Sequence, residues 1–322
     1  MAGNIVVYFT MKRFLETLTT LLVVIVVWNA CSCEHRQSVP EHASDIEQSA
    51  EQVISRAEQV TKALFEAYPS QIEEVEFRDN DWALLMRGTW YYYADGRLLP
   101  ENLRENTAKY RSLIFYRYPA ALPPWEEQNH DELLKNGNNR NRNSVNRDTL
   151  LRSTFMENLW QTSNYNEAYH NTRIIRFLGR SARVHHLMIE KLALVETCIL
   201  DAAKNDPQIQ TWINSILIAE SFAWRNIAAS QSRSYHSYGI ALDLHPRSLG
   251  NRQTYWLWTS QQREDWCNVP YNKRYHPPES VISAFETYGF IWGGKWLHFD
   301  TMHFEYRPEV LILNDMPPKQ SE

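Results

Sequence analysis

Apolar positions along the chain fall into blocks of different period. Leu21 to Trp28 is one unbroken apolar run. It follows the basic pair Lys12–Arg13, just after Met11, and leads to Ala30–Cys31. A basic start, a short apolar run and a small-residue exit form an export-signal pattern. The run falls short of the roughly twenty apolar residues that span a membrane, and an uncleaved anchor is the alternative. The ten residues ahead of Met11 interrupt the basic region, which makes Met11 a candidate start, and Cys31 after Ala30 offers a lipid-attachment site. Residues Cys33 to Glu41 are polar and read as a tether. Ser44–Glu47 then has the spacing of a capping box. Ile46, Val53, Ala57, Val60 and Leu64 continue at helical spacing until Pro69, which predicts an amphipathic helix.

The period then shortens. Residues 82–100, WALLMRGTWYYYADGRLLP, predict strands with turns at Arg87–Gly88 and Asp95–Gly96, and SLIFYRYP at 112–119 has the same texture. Lys135 to Asp148 is Asn/Arg-rich with Val145 as its one apolar side chain, so it reads as a loop or linker. Beyond it, Val184, Met188, Leu192, Val195 and Ile199 repeat at threes and fours, which predicts a helix carrying His185 and His186 on different faces. A shorter apolar block, IQTWINSILIAES, precedes a change to strand texture at Phe222. PPESVISAFETYGF predicts a helix with proline at its start and Gly289 as its C-cap, followed by a strand that breaks at Gly293–Gly294.

Helices first and short strands later predict an α+β fold: a small antiparallel sheet flanked by helices, with an N-terminal helical and β-hairpin extension. The organisation read from this pattern is a signal segment at 1–31, an accessory region at 32–150, a main domain at 151–312 and a tail at 313–322.

Composition changes this picture little. A formal net charge of −5 gives no basic footprint, so no nucleic-acid partner is expected. The 12 Trp and 17 Tyr either line a sugar or peptide cleft or fill the core. Of four cysteines, Cys31 and Cys33 lie at the signal boundary. Cys198 and Cys267 could pair in an oxidising compartment, while the apolar helical setting of Cys198 suits a free thiol.

The chemistry concentrates in two stretches. In SYHSYGIALDL, Ser234 to Leu244, strand alternation puts Gly239, Ala241 and Asp243 on one face and Ile240, Leu242 and Leu244 on the other. The first face is small-sided and ends in a carboxylate, and the turn before it can bring His236 beside Asp243. Such a pair alone is a weak metal signal. In WLHFDTMHFEYRP, Trp296 to Pro308, His303 offers a third ligand. Asp300, three positions earlier, cannot share a straight strand face with it and is expected where a loop enters the strand. Three protein ligands with an open fourth position describe a catalytic zinc site.

These stretches resemble the zinc D-alanyl-D-alanine carboxypeptidase family of VanY-like and endolysin-type peptidases. Its S-x-H-x-x-G-x-A-x-D pattern is matched at Ser234, His236, Gly239, Ala241 and Asp243. Its second element is matched at Asp300, Met302, His303, Phe304 and Glu305. FAWRNIAAS and FETYGFIWGGKW, ahead of the two motifs, resemble further family elements, so the likeness covers about Ser221 to Pro308. The resemblance implies one zinc ion on His236, Asp243 and His303. It implies Asp300 as the base for the zinc water and Arg225 as the cation that polarises the scissile carbonyl or holds a substrate carboxylate, with Arg233 its weaker rival. Ser234 would order the turn, and Glu305 would either fix a ligand imidazole or serve structure alone. His245 reads as a spare ligand or a surface residue, and His298 is ambiguous. Trp224, Trp292 and Trp296 line the cleft or pack the core. The implied activity is hydrolysis of peptidoglycan stem peptides by an exported enzyme, as a D-Ala-D-Ala carboxypeptidase or an L-Ala-D-Glu-type endopeptidase. Its membrane link would be only the signal anchor or a lipid on Cys31. The alternative is a cell-wall-binding lipoprotein that kept fold and metal but lost turnover.

Overall fold

The computed structural model describes residues 56–136, 150–227 and 232–319. The signal segment, the tether, the Ser44–Glu47 box and most of the Asn/Arg-rich run lie outside the described residues. No helix among the described residues is long and apolar enough to cross a membrane.

The architecture is α+β, as the order of periods predicts. A helix over 56–67 buries Ala57, Val60, Ala63 and Leu64 at helical spacing. An antiparallel meander follows, in the order β1 (Glu74–Arg78), β2 (Asp81–Met86), β3 (Thr89–Tyr92) and β4 (Leu99–Pro100). Arg87 and Gly88 both take positive φ, the geometry of a two-residue hairpin turn whose twist suits the strands it joins. β1 alternates charged and apolar residues, with Val75 and Phe77 between Glu74, Glu76 and Arg78, but it is only five residues long and lies ahead of residues 82–100, where strands are predicted.

The SLIFYRYP run forms no strand. Its residues are irregular, and several of its polar groups bond to distant side chains rather than to a strand neighbour. β5 (Thr172–Phe177) and β6 (Arg180–His185) form a separate hairpin. Val184 and His185 therefore belong to a strand. His186 opens a short 3-10 turn, and the helix they were expected to join begins later, at Ile189–Ala203. The helical spacing continues through Val184 because a strand residue packs into the same core as Leu192 and Val195.

The IQTWINSILIAES block divides into the helix Pro207–Ser215, capped by the Asp206 side chain, and β7 (Ile216–Glu220). Strand texture thus begins before Phe222: the apolar run hides the switch from helical to extended period. β7 joins β8 (Ala241–Pro246), β10 (His303–Tyr306) and β9 (Phe290–Trp292) in an antiparallel sheet of order β7-β8-β10-β9. The helix Glu279–Thr287 packs behind it, with Phe285 stacked on Phe304 at 3.9 Å. Its C-cap is Tyr288, one position before the expected Gly289, which follows with φ 95°.

One contiguous apolar core runs through these elements. It holds Val60, Leu84 and Tyr91 from the first elements together with Val195, Leu242 and Phe304. Cys198 and Cys267 are both free; Cys198 is half-buried beside the Tyr288 hydroxyl and Cys267 is buried.

Candidate metal centre

The sheet register sets the site. His303 on β10 stands directly opposite Asp243 on β8, so two chemically active side chains sixty positions apart share one rung. His236 comes from the 3-10 turn Tyr235–Tyr238 just ahead of β8. Ser234 caps that turn by accepting from the His236 amide.

Gly239 ends the turn rather than entering the strand, with φ 71°. A Cβ there would stand 2.8 Å from the His185 amide nitrogen, so glycine is needed both for the left-handed bend and for the close approach of β6. The expected strand face therefore holds Ala241 and Asp243 only.

The three side chains converge. His236 Nε2 lies 3.2 Å from His303 Nδ1 and 3.2 Å from Asp243 Oδ2, and His303 Nδ1 lies 2.8 Å from Asp243 Oδ1. Among the described residues this is the one His/Cys/Asp/Glu group whose ligand atoms could hold a metal ion, all within 4.8 Å of one another. Zinc bonds of 2.0–2.1 Å place tetrahedral ligand atoms about 3.3 Å apart, so the spacing fits.

Outer hydrogen bonds aim both rings. His236 Nδ1–H donates to the Ser221 carbonyl at 2.5 Å, which turns Nε2 inward. His303 Nε2–H donates to Glu305 Oε2 at 3.1 Å, which turns Nδ1 inward. Two imidazole nitrogens and a carboxylate then face one point, and that point calls for positive charge. Burial pulls the His303 pKa down, but Asp243 and Glu305 outweigh it and hold the pKa well above the ordinary value. Burial also pushes Asp243 up, yet the neighbouring His236 and His303 hold its carboxyl far below the usual range.

Asp300 stands outside the three-residue cluster. It occupies the turn before β10, bridged to Tyr255, and its amide donates to the Gly293 carbonyl at 3.0 Å. Burial, then the Asp243 charge, pushes its carboxyl up to about 7. Arg225 is exposed, with its backbone clamped by the Ser237 hydroxyl, which accepts from the Arg225 amide at 2.9 Å. The Tyr255 phenol feels both groups. Burial and Asp300 raise its pKa while Arg225 opposes them, and the backbone bridge to Asp300 makes Tyr255 a neighbour of the site that the motif spacing does not reveal.

The remaining candidates separate. His245 pairs loosely with Glu220 at 3.6 Å and is no part of the cluster. His298 packs between Trp256 and Trp266. Trp292 is core, its indole donating to the Thr301 carbonyl at 2.9 Å. Trp296 borders the site, its ring 5.5 Å from that of His303. Arg233 lies over the Trp224 ring at 3.9 Å.

Residues 60–115 match a domain of unknown function. No curated protein and no solved structure matches the chain. Residues 228–306 match the D-alanyl-D-alanine carboxypeptidase family and contain all three convergent ligand residues. Through that segment, about a quarter of the chain, the protein is similar to the D-alanyl-D-alanine carboxypeptidase family.

Proposed function

We propose that this chain is an exported zinc peptidase that hydrolyses a peptide bond in peptidoglycan stem peptides, at the terminal D-Ala-D-Ala or at an internal L-Ala-D-Glu-type bond. The observation that carries the reading is the convergence of His236 Nε2, His303 Nδ1 and the Asp243 carboxylate on one point. The family match supports the substrate class, and the Lys12–Arg13 to Cys31 pattern supports export, with the signal anchor or a lipid on Cys31 as the membrane link.

The residues divide the work. His236, Asp243 and His303 would hold the ion, which when bound supplies a Lewis acid and lowers the pKa of water to about 7. Ser221 and Glu305 keep the two imidazoles in the tautomers that face inward. The Asp300 carboxylate accepts a proton from the attacking water and returns it to the leaving amine. A positioned carboxylate is a suitable group for that exchange at neutral pH. Arg225 offers its guanidinium either to the scissile carbonyl or to a substrate carboxylate. Ser234 holds the turn and is not a nucleophile in this scheme.

Incubation of the purified full chain with defined muropeptides, followed by mass analysis, tests the reading. Loss of D-alanine marks the carboxypeptidase and new amino termini mark the endopeptidase. If the zinc-loaded protein cleaves no stem peptide, the enzyme reading falls and a silent wall-binding protein takes its place.

A further inference from the structure

The metal centre continues into a buried chain of charge that leaves the family-matched segment. Glu305 accepts from His303 with one oxygen and faces Arg307 Nη1 at 3.4 Å with the other. Arg307 Nε donates to Glu309. Arg307 also donates to the Tyr235 hydroxyl at 2.7 Å and, through Nη2, to the Ile114 carbonyl at 2.9 Å. The Tyr68 hydroxyl donates to the second Glu309 oxygen at 2.6 Å. Glu305, Arg307 and Glu309 are each 2% exposed, so solvent cannot stand in for a missing partner.

Two of these partners, Tyr68 and Ile114, lie within residues 60–115, which match the domain of unknown function and none of the peptidase segment. The same region reaches the first motif, where Arg111 donates to the Ser232 hydroxyl at 2.6 Å. Just beyond it, Tyr116 stacks on Trp296 at 5.0 Å, and Trp296 borders His303. A guanidinium held by four groups has one orientation. Tyr68 fixes one of the four, Glu309, through its second oxygen, and the Ile114 carbonyl is another, so both help set the angle at which Arg307 meets Glu305 and Glu305 meets His303.

We propose that residues 60–115 complete the metal centre: Tyr68, by way of Glu309, and the Ile114 carbonyl are positioning groups that act through Arg307 and Glu305 on His303. The inference rests on reading His236, Asp243 and His303 as metal ligands.

The test uses the full chain with zinc alone. Zinc affinity is measured by competition with a chromophoric chelator, and ligand geometry from the visible spectrum of the cobalt-substituted protein. Tyr68→Phe keeps the ring and removes the one hydroxyl. Outer hydrogen-bond partners typically change metal affinity 10- to 100-fold, so a zinc Kd about 10-fold weaker is expected, with altered cobalt bands. Glu309→Gln, which keeps the side-chain shape, is expected to act in the same direction and serves if Tyr68→Phe does not fold. A purely structural role would lower the melting temperature of the metal-free and zinc-loaded forms equally and leave Kd within about twofold of wild type, and that result overturns the proposal. Wild-type protein that takes up no zinc overturns the metal reading itself, and the inference with it.

Discussion

At the scale of the residue, the site separates holding an ion from moving a proton. His236, Asp243 and His303 share a triangle with edges of 2.8 to 3.2 Å, and Asp300 stays outside it. Asp300→Asn is therefore expected to keep stoichiometric zinc while losing about 10²- to 10⁴-fold in peptide cleavage, the usual contribution of a general base. Metal analysis and turnover on one muropeptide, measured on the same preparation, check it; zinc lost in proportion to activity would make Asp300 a ligand. Asp243→Ala should instead lose zinc and activity together. Much of this was legible in the sequence, because His236, Asp243, Asp300 and His303 sit in two short motifs that resemble those of a zinc peptidase family, although strand alternation accounts for Asp243 and His303 alone. Tyr255 was not, since it reaches the site from a loop that bridges to Asp300 and has no motif of its own. Arg307 was also hidden. A lone arginine beyond a motif reads as surface, and only the fold shows that it is buried among carboxylates.

At the scale of the element, β6 and the turn before β8 depend on each other. The His185 amide donates to the Gly239 carbonyl at 2.8 Å, and a Cβ on Gly239 would meet that same amide nitrogen. Gly239→Ala should cost more than the ~1–2 kcal/mol of the left-handed backbone alone. It should also weaken zinc binding, because the turn carries His236; denaturant unfolding and chelator competition measure the two effects. The His185 ring is wedged in the same place. Its Nε2–H donates to the Trp160 carbonyl at 3.0 Å, and its Nδ1 accepts from the Leu187 amide, and that second bond needs the neutral ring. Burial drives its pKa from 6.5 down to about 4, although the Trp160 carbonyl opposes that shift. The unfolded chain therefore takes up a proton that the folded chain refuses. The stability held by this ring is complete above about pH 6.5 and drains away as the pH falls towards 4. Between neutral pH and about pH 5 the loss is about 2 kcal/mol. Urea midpoints at the two pH values should shift less in His185→Gln than in wild type, and equal shifts would remove His185 from the account. The helical reading of 184–199 missed this strand because Val184 and Leu192 enter one core from different elements. The strand reading of SLIFYRYP failed for a related reason: its apolar side chains are sheet-like, but its backbone partners are side chains such as Asn314 and Arg307.

At the scale of the whole molecule, the first elements and the metal-bearing sheet share one interior. Tyr68, Leu84 and Tyr91 belong to the same buried cluster as Leu242 and Phe304. Polar anchors run beside that contact. The Tyr118 hydroxyl accepts from the Trp292 amide at 2.8 Å and donates to Glu286, which Lys295 also holds. Asn314 binds both the Tyr116 carbonyl and the Tyr118 amide at 3.0 Å. A chain cut near residue 150 would turn these covered surfaces towards water. Each large apolar side chain uncovered costs about 1.5–3 kcal/mol, so three or four of them remove about 5–12 kcal/mol. That is most of the roughly 5–15 kcal/mol that keeps a domain folded. The truncated chain should therefore be insoluble or melt without cooperativity, while the full chain unfolds in one transition; solubility and calorimetry on the two proteins decide it. A soluble 150–322 fragment with a sharp transition and full zinc affinity would mean that the early elements are an attached module and that the peptidase segment builds its site unaided.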